Sequence, residues 1–168
     1  MRRQTAEVRR RIGVVGHRSF LYDDLTPAEN LNYYARLYSI GNREARVGAA
    51  LERVGLSARA NHRVRTLSNG MQKRTAIARA ILHEPDLLLL DEPEAGLDRD
   101  SRQMLSELLS DWTSGGRSAA LTTHDVELGL AWGHRAAVLS GGKLTMAEGD
   151  DDDIQQALAR SLSGGVGL

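Results

Sequence analysis

Four consecutive leucines, Leu87 to Leu90, stand between Pro85 and Pro93 and run directly into Asp91 and Glu92. Prolines on both borders keep a helix from continuing through so short an apolar run, so it reads as a strand. No polar residue alternates along it, and the strand is therefore expected to be buried on both faces. A chain built around such a strand is α/β, with helices covering a mainly parallel sheet. Open sheets of this kind bind ligands beyond the carboxyl ends of their strands, which is where Asp91 and Glu92 stand.

The rest of the chain supplies matching elements. Ile12–Gly16, Ser118–Thr122 and Ala136–Leu139 are short apolar runs expected as further strands of the core, and Ser140-Gly141-Gly142 joins the last of them to Lys143–Met146 as a hairpin. Pro27 to His83 is expected to be mostly helical. Thr26-Pro27-Ala28-Glu29 is a capping box with proline at the first helical position. Leu31, Tyr34, Ala35 and Tyr38 share one face of the helix it opens, and the tyrosines read as packing residues. A second helix follows Asn42, with Val47, Ala50, Leu51 and Val54 on one side. A third opens at Ser68 and runs to about His83. A fourth follows Asp98 and carries Met104, Leu105, Leu108, Leu109 and Trp112 inward.

Three short stretches carry chemistry. Leu67-Ser68-Asn69-Gly70-Met71-Gln72 is a turn whose serine caps a helix, and the free N–H groups of that first turn suit an anion. Asp91-Glu92 is a carboxylate pair at a strand end; adjacent residues of a regular strand point to opposite faces, which would separate their tasks. Ala95-Gly96-Leu97-Asp98 is a turn into the next helix. His17 and His124 lie in loops after strands, and each alone reads equally well as an ordinary loop histidine. Composition narrows the partners. Lys+Arg and Asp+Glu balance at 22 each, which gives no general pull toward nucleic acid, and the absence of cysteine rules out thiolate metal sites and disulfides. Arg2, Arg3, Arg9, Arg10 and Arg11 read as a solvated end, not a nucleic-acid arm. Asp150–Asp153 reads as a solvated acidic cluster at a helix start and Ser161–Leu168 as a loose end. No apolar run approaches the ~18 residues of a membrane span.

Taken together, in this order and spacing, the motifs resemble the nucleotide-binding subunit of ATP-binding cassette (ABC) transporters. Leu67–Met71 is similar to the family signature LSGGQ, with Asn69 and Met71 as departures and Gln72 directly after. Leu87–Glu92 is similar to the Walker B strand with its catalytic glutamate, Ala95–Asp98 to the D-loop, and His124 to the switch histidine. His17 stands where the family has a loop glutamine. Within the family the text around Gly16–Tyr38 and Ser68–Gln72 looks most like the haem exporter subunit of cytochrome c maturation.

The resemblance implies a P-loop NTPase-like (RecA-like) fold, with residues 1–168 one cassette domain and about 26–84 its helical subdomain. It implies ATP and Mg²⁺ as ligands: Asp91 as the metal anchor, Glu92 as general base, and His124 on the terminal phosphate. His17 would lie near the metal and its water. Ser68, Asn69, Gly70 and Met71 would cover the phosphate held by a second nucleotide-binding subunit in a head-to-tail dimer, with Asp98 crossing the same interface. It implies a transmembrane transporter subunit as partner, no nucleic acid, and a peripheral place on the inner face of the cell membrane. The family's phosphate loop, GxxxxGK[ST], does not occur among the 168 residues. The expectation is a partial cassette lacking the first strand and that loop, with little ATP turnover by the 168-residue chain itself. The competing reading is a cassette fragment that only dimerises or docks. A non-transport ABC protein is a third, less well matched, because no second cassette, zinc module or coiled-coil insertion is visible.

Overall fold

The first strand, β1 (Ile12–Val15), pairs in parallel with β2 (Leu87–Asp91), which pairs in parallel with β3 (Ser118–Thr122). Val15 faces Leu90 across one ladder, and Leu90 faces Leu121 across the other. The computed structural model describes residues 7–147. The chain divides into two compact units, Met1–Thr123 and His124–Leu168. The acidic cluster at Asp150–Asp153, the end at Ser161–Leu168 and the arginines at 2 and 3 lie outside the described residues.

Between β1 and β2 come three helices, α1 (Pro27–Leu37), α2 (Arg43–Arg53) and α3 (Asn69–Ile81), with 3-10 turns at Ser57–Arg59 and Val64–Thr66. The capping box forms as expected. Thr26 Oγ1 accepts from the Glu29 amide at 3.2 Å, and Glu29 Oε2 accepts from the Thr26 amide at 2.8 Å. Leu31 and Ala35 of α1, Val47, Ala50 and Leu51 of α2, and the stretch Thr75–Ile81 of α3 are buried against one another and the sheet. Helix α4 (Arg99–Ser114) joins β2 to β3 and buries Leu105, Leu108, Leu109 and Trp112. The Arg117 guanidinium lies 4.5 Å from the centre of the Trp112 ring.

The sheet is not buried on both faces. Leu88 and Leu90 are buried, whereas Leu89 is 38% exposed and its neighbour in register, Val14, 44%. The cause is topological. Both crossovers step the same way across the sheet, from β1 to β2 to β3, and right-handed crossovers stepping one way stack their helices on one face. On that face the approach is close: a Cβ added to Gly13 would lie 2.4 Å from the Ala80 carbonyl of α3.

The second unit contains α5 (Val126–Trp132) and a hairpin of β4 (Ala136–Ser140) and β5 (Lys143–Ala147). The expectation that the strand at Ala136 belongs to the parallel core is corrected: among the described residues it pairs only with β5, antiparallel. The two-glycine turn explains this, because Gly141 and Gly142 both adopt positive φ and fold the chain straight back.

Candidate functional site

The carboxyl end of β2 gathers most of the chemistry-bearing residues of the first unit. Asp91 is exposed there. Its Oδ1 accepts a hydrogen bond from the Thr122 hydroxyl at 2.7 Å, and its Oδ2 lies 3.7 Å from His17 Nε2. That last distance is too long for a hydrogen bond but within reach of an ion pair when the imidazole carries a proton. Thus β1 and β2, adjacent in the sheet, bring together residues 74 positions apart in sequence.

Glu92 departs from its expected geometry. It has left the strand, with φ at +44°, so the picture of two carboxylates alternating on one strand is corrected. A left-handed backbone at a side chain of this size costs roughly 1–3 kcal/mol and is kept only where surrounding contacts hold it. Those contacts are present. The Glu92 amide donates to the Thr122 carbonyl (3.1 Å) and lies 3.2 Å from the Thr122 hydroxyl. The Glu92 carbonyl accepts from the Ala95 amide at 3.1 Å, closing the turn, and from Lys73 Nζ of α3, also at 3.1 Å. Burial pulls the Lys73 ammonium below its ordinary range, and the negative charges of Glu94, Asp91 and Glu92 pull it back up. Glu94 is buried and accepts a hydrogen bond from the Thr123 hydroxyl, tying the turn after β2 to the end of β3.

The Ser68 turn lies beside this one. Ser68 caps α3 by accepting from the Met71 amide at 3.3 Å. A Cβ on Gly70 would come within 3.3 Å of the Gly96 carbonyl, so the helix start and the Ala95–Asp98 turn are near neighbours. Ser68 and Asn69 are exposed; Gly70 and Met71 are half-buried. Gln72 does not stand in for Met71, because its amide turns back to the Val64 (3.1 Å) and Leu67 (3.2 Å) carbonyls. The Asp98 carboxylate caps α4 through the Ser101 amide at 2.9 Å, and its hydrogen bonds with Ser101 hold it below the usual carboxylate range. His124 follows the end of β3 in the second unit, and Asp125 caps α5 there by accepting from the Leu128 amide.

Sequence reasoning missed the residues that hold these loops. Asn30, fully buried on α1, accepts from the Tyr22 amide and donates to the Tyr22 and Thr26 carbonyls, fixing the loop that follows His17. Arg79 donates to the Val14 carbonyl at 2.7 Å from beneath the Phe20 and Tyr34 rings. A polar residue at a core-facing helical position was the available signal for both. A cleft of about 710 Å³ in the helical block, lined by Glu29, Tyr33, Arg36 and Arg43 among others, contains none of the residues at the β2 end.

A sequence model of the ABC transporter family matches residues 1–95, more than half of the chain. The chain belongs to the ABC transporter family. It is 38% identical over 150 residues to Nod factor export ATP-binding protein I of Cupriavidus pinatubonensis, covering 88% of this chain and 46% of that protein. It is 37% identical to linearmycin resistance ATP-binding protein LnrL of Bacillus subtilis, over 74% of this chain and 41% of that protein. It spans about half the length of the curated relatives it matches. A solved dimeric ATP-binding cassette in a post-hydrolysis state, bound to ADP and Pi, superposes with a TM-score of 0.74 at 28% identity, over 88% of this chain and 68% of that one. These relatives are not haem exporters, so the finer resemblance to the haem exporter finds no support among them. As a cassette, the chain presents a suitable acidic position for Mg²⁺ at Asp91. No cluster of three or more His, Asp or Glu able to hold a metal exists among the described residues. No helix among them is long and apolar enough to cross a membrane.

Proposed function

We propose that this chain is the ATP-binding subunit of an ABC membrane transporter, and that Asp91 and Glu92 carry its chemistry. The observation that carries the reading is the Glu92 turn: a carboxylate held in a costly backbone conformation, next to a second carboxylate oriented by Thr122. In this reading Glu92 is the general base that takes a proton from the attacking water. Asp91 holds Mg²⁺, whose role when bound is to neutralise charge on the phosphoryl oxygens. His17 would lie near the metal and its water, and His124 would contact the terminal phosphate. Ser68, Asn69, Gly70 and Met71 meet the nucleotide of a second subunit in a head-to-tail dimer, and Asp98 reaches across the same interface. Residues about 26–84 form the helical subdomain that faces a transmembrane subunit, on the cytoplasmic side of the membrane. By analogy with the Nod factor export relatives, the direction of transport is export.

The test is ATP turnover by the protein assembled with its membrane subunit. Glu92→Gln keeps size and hydrogen-bonding reach but cannot accept the proton, so turnover should fall by at least ~10²–10⁴-fold with ATP binding intact. Ser68→Arg puts bulk and charge at the helix start and should block ATP-driven dimerisation while sparing ATP affinity of the monomer. Wild-type turnover in Glu92→Gln would remove the base assignment; equal loss of affinity and dimerisation in Ser68→Arg would remove the trans role of Ser68. A second reading is a cassette segment that docks or dimerises without hydrolysis. Mg²⁺-dependent hydrolysis by the purified 168-residue chain, lost in Glu92→Gln, would exclude it.

A further inference from the structure

Lys73 lies one turn into α3, on the helix that Ser68 caps, and it is absent from every role described above. Its half-buried ammonium ends on the carbonyl of Glu92 at 3.1 Å. It shares that carbonyl with the Ala95 amide, so both acceptor directions of the oxygen are engaged. On the other side of the residue, the Glu92 amide is held by the Thr122 carbonyl. Pro93 follows and by itself would push Glu92 toward extended backbone, so the positive φ is held against that preference by the contacts on its two peptide groups. Glu92 is therefore pinned through its peptide groups on both sides while its φ stays at +44°. Once those groups are fixed, the direction of the Cα–Cβ bond, and hence the cone the carboxylate can sweep, is fixed too.

We propose that Lys73 is a positioning residue for Glu92, reaching from α3 to hold the Glu92 carbonyl and so set the rotation of the turn from which the carboxylate projects. The proposal rests on the reading of Glu92 as the general base. Charge suits the role: a cation among Asp91, Glu92 and Glu94 offsets the repulsion of three neighbouring carboxylates, which a neutral donor would not. Geometry suits it as well. The same helix begins at Ser68, so a shift of α3 is passed to Glu92 through one hydrogen bond instead of through the sheet.

Two measurements on the full protein in its transporter complex test this, with Lys73→Met, Lys73→Arg and Glu92→Gln. Methionine keeps the length and the apolar stem but not the donor; arginine keeps donor and charge. Hydrogen exchange read on a peptide spanning residues 90–95 should quicken about ten-fold in Lys73→Met, with α3 amides unchanged. Steady-state kinetics should show kcat down ~10–100-fold with KM for ATP within about two-fold, as expected when a reacting group is misplaced but the nucleotide is still bound. Lys73→Arg should restore most of both. Unchanged exchange in Lys73→Met would overturn the clamp. Faster exchange with wild-type kcat, or an arginine variant as impaired as the methionine one, would overturn the positioning role. A fully active Glu92→Gln control would instead overturn the base assignment, and with it the use of the clamp, whereas exchange would still report whether the clamp exists.

Discussion

The two faces of the three-stranded sheet are built from nearly the same residue types, yet they meet different surroundings. One face carries Gly13, Val15, Leu88 and Leu90 under the helices; the other carries Val14, Leu89 and Ala120 and is open in large part. Leucine alternates with leucine along β2, so hydrophobicity does not choose between them. The choice comes from the direction in which the chain crosses, and it separates a face that holds the fold together from one that contributes little to it.

That comparison can be broken by substitution. The largest difference is expected within β2 itself. Leu88→Ala removes a side chain only 1% exposed and should cost ~2–5 kcal/mol, the transfer term plus the cavity. Leu89→Ala, one residue on, should cost under ~1 kcal/mol, since much of the side chain is already in water. Denaturant midpoints of the two variants settle it, and equal losses would mean that the second face is packed in solution. A smaller effect is expected from overfilling. Gly13→Ala places a methyl against the Ala80 carbonyl, a backbone atom that cannot swing away, and should cost about 1–3 kcal/mol. Gly16→Ala, whose added Cβ meets nothing within 4 Å, should be nearly silent and serves as the control.

The smallest effect concerns pH. His83 packs flat on Tyr38, with ring centres 4.0 Å apart, and its Nε2 lies 3.2 Å from the Ile12 carbonyl at the edge of the packed face. Burial holds its imidazole below the ordinary value near 6.5. The unfolded chain therefore takes up this proton at a higher pH than the folded one. The contribution is complete above about pH 6.5 and declines as pH falls through that value toward the folded one. In His83→Gln the loss of stability between pH 8 and pH 5.5 should be smaller than in the wild type. An identical slope would show that the ring titrates freely.

Much of this was readable from local signals. The capping box at Thr26–Glu29, the cap at Ser68, the strand at Leu87 and the helix stripe from Leu105 to Trp112 all rest on interactions within a few residues, and they form where expected. The candidate residues were found the same way, as short motifs. What escaped was whatever depended on a neighbour far along the chain. Glu92 was expected to continue the strand, but Thr122 and Lys73, 30 and 19 residues away, hold it in a turn.

The sequence by itself determined the strands and the four longer helices of the first unit, where those helices start, and that two carboxylates lie at a strand end. Those properties follow from hydrophobic period, proline, glycine and capping chemistry, all of short range. Tertiary structure alone decided which face of β2 is dry, because that depends on the handedness of crossovers dozens of residues long. It alone set His17 beside Asp91 and bent Glu92 out of the strand, because a backbone conformation that is costly in isolation persists only when groups from other elements hold it.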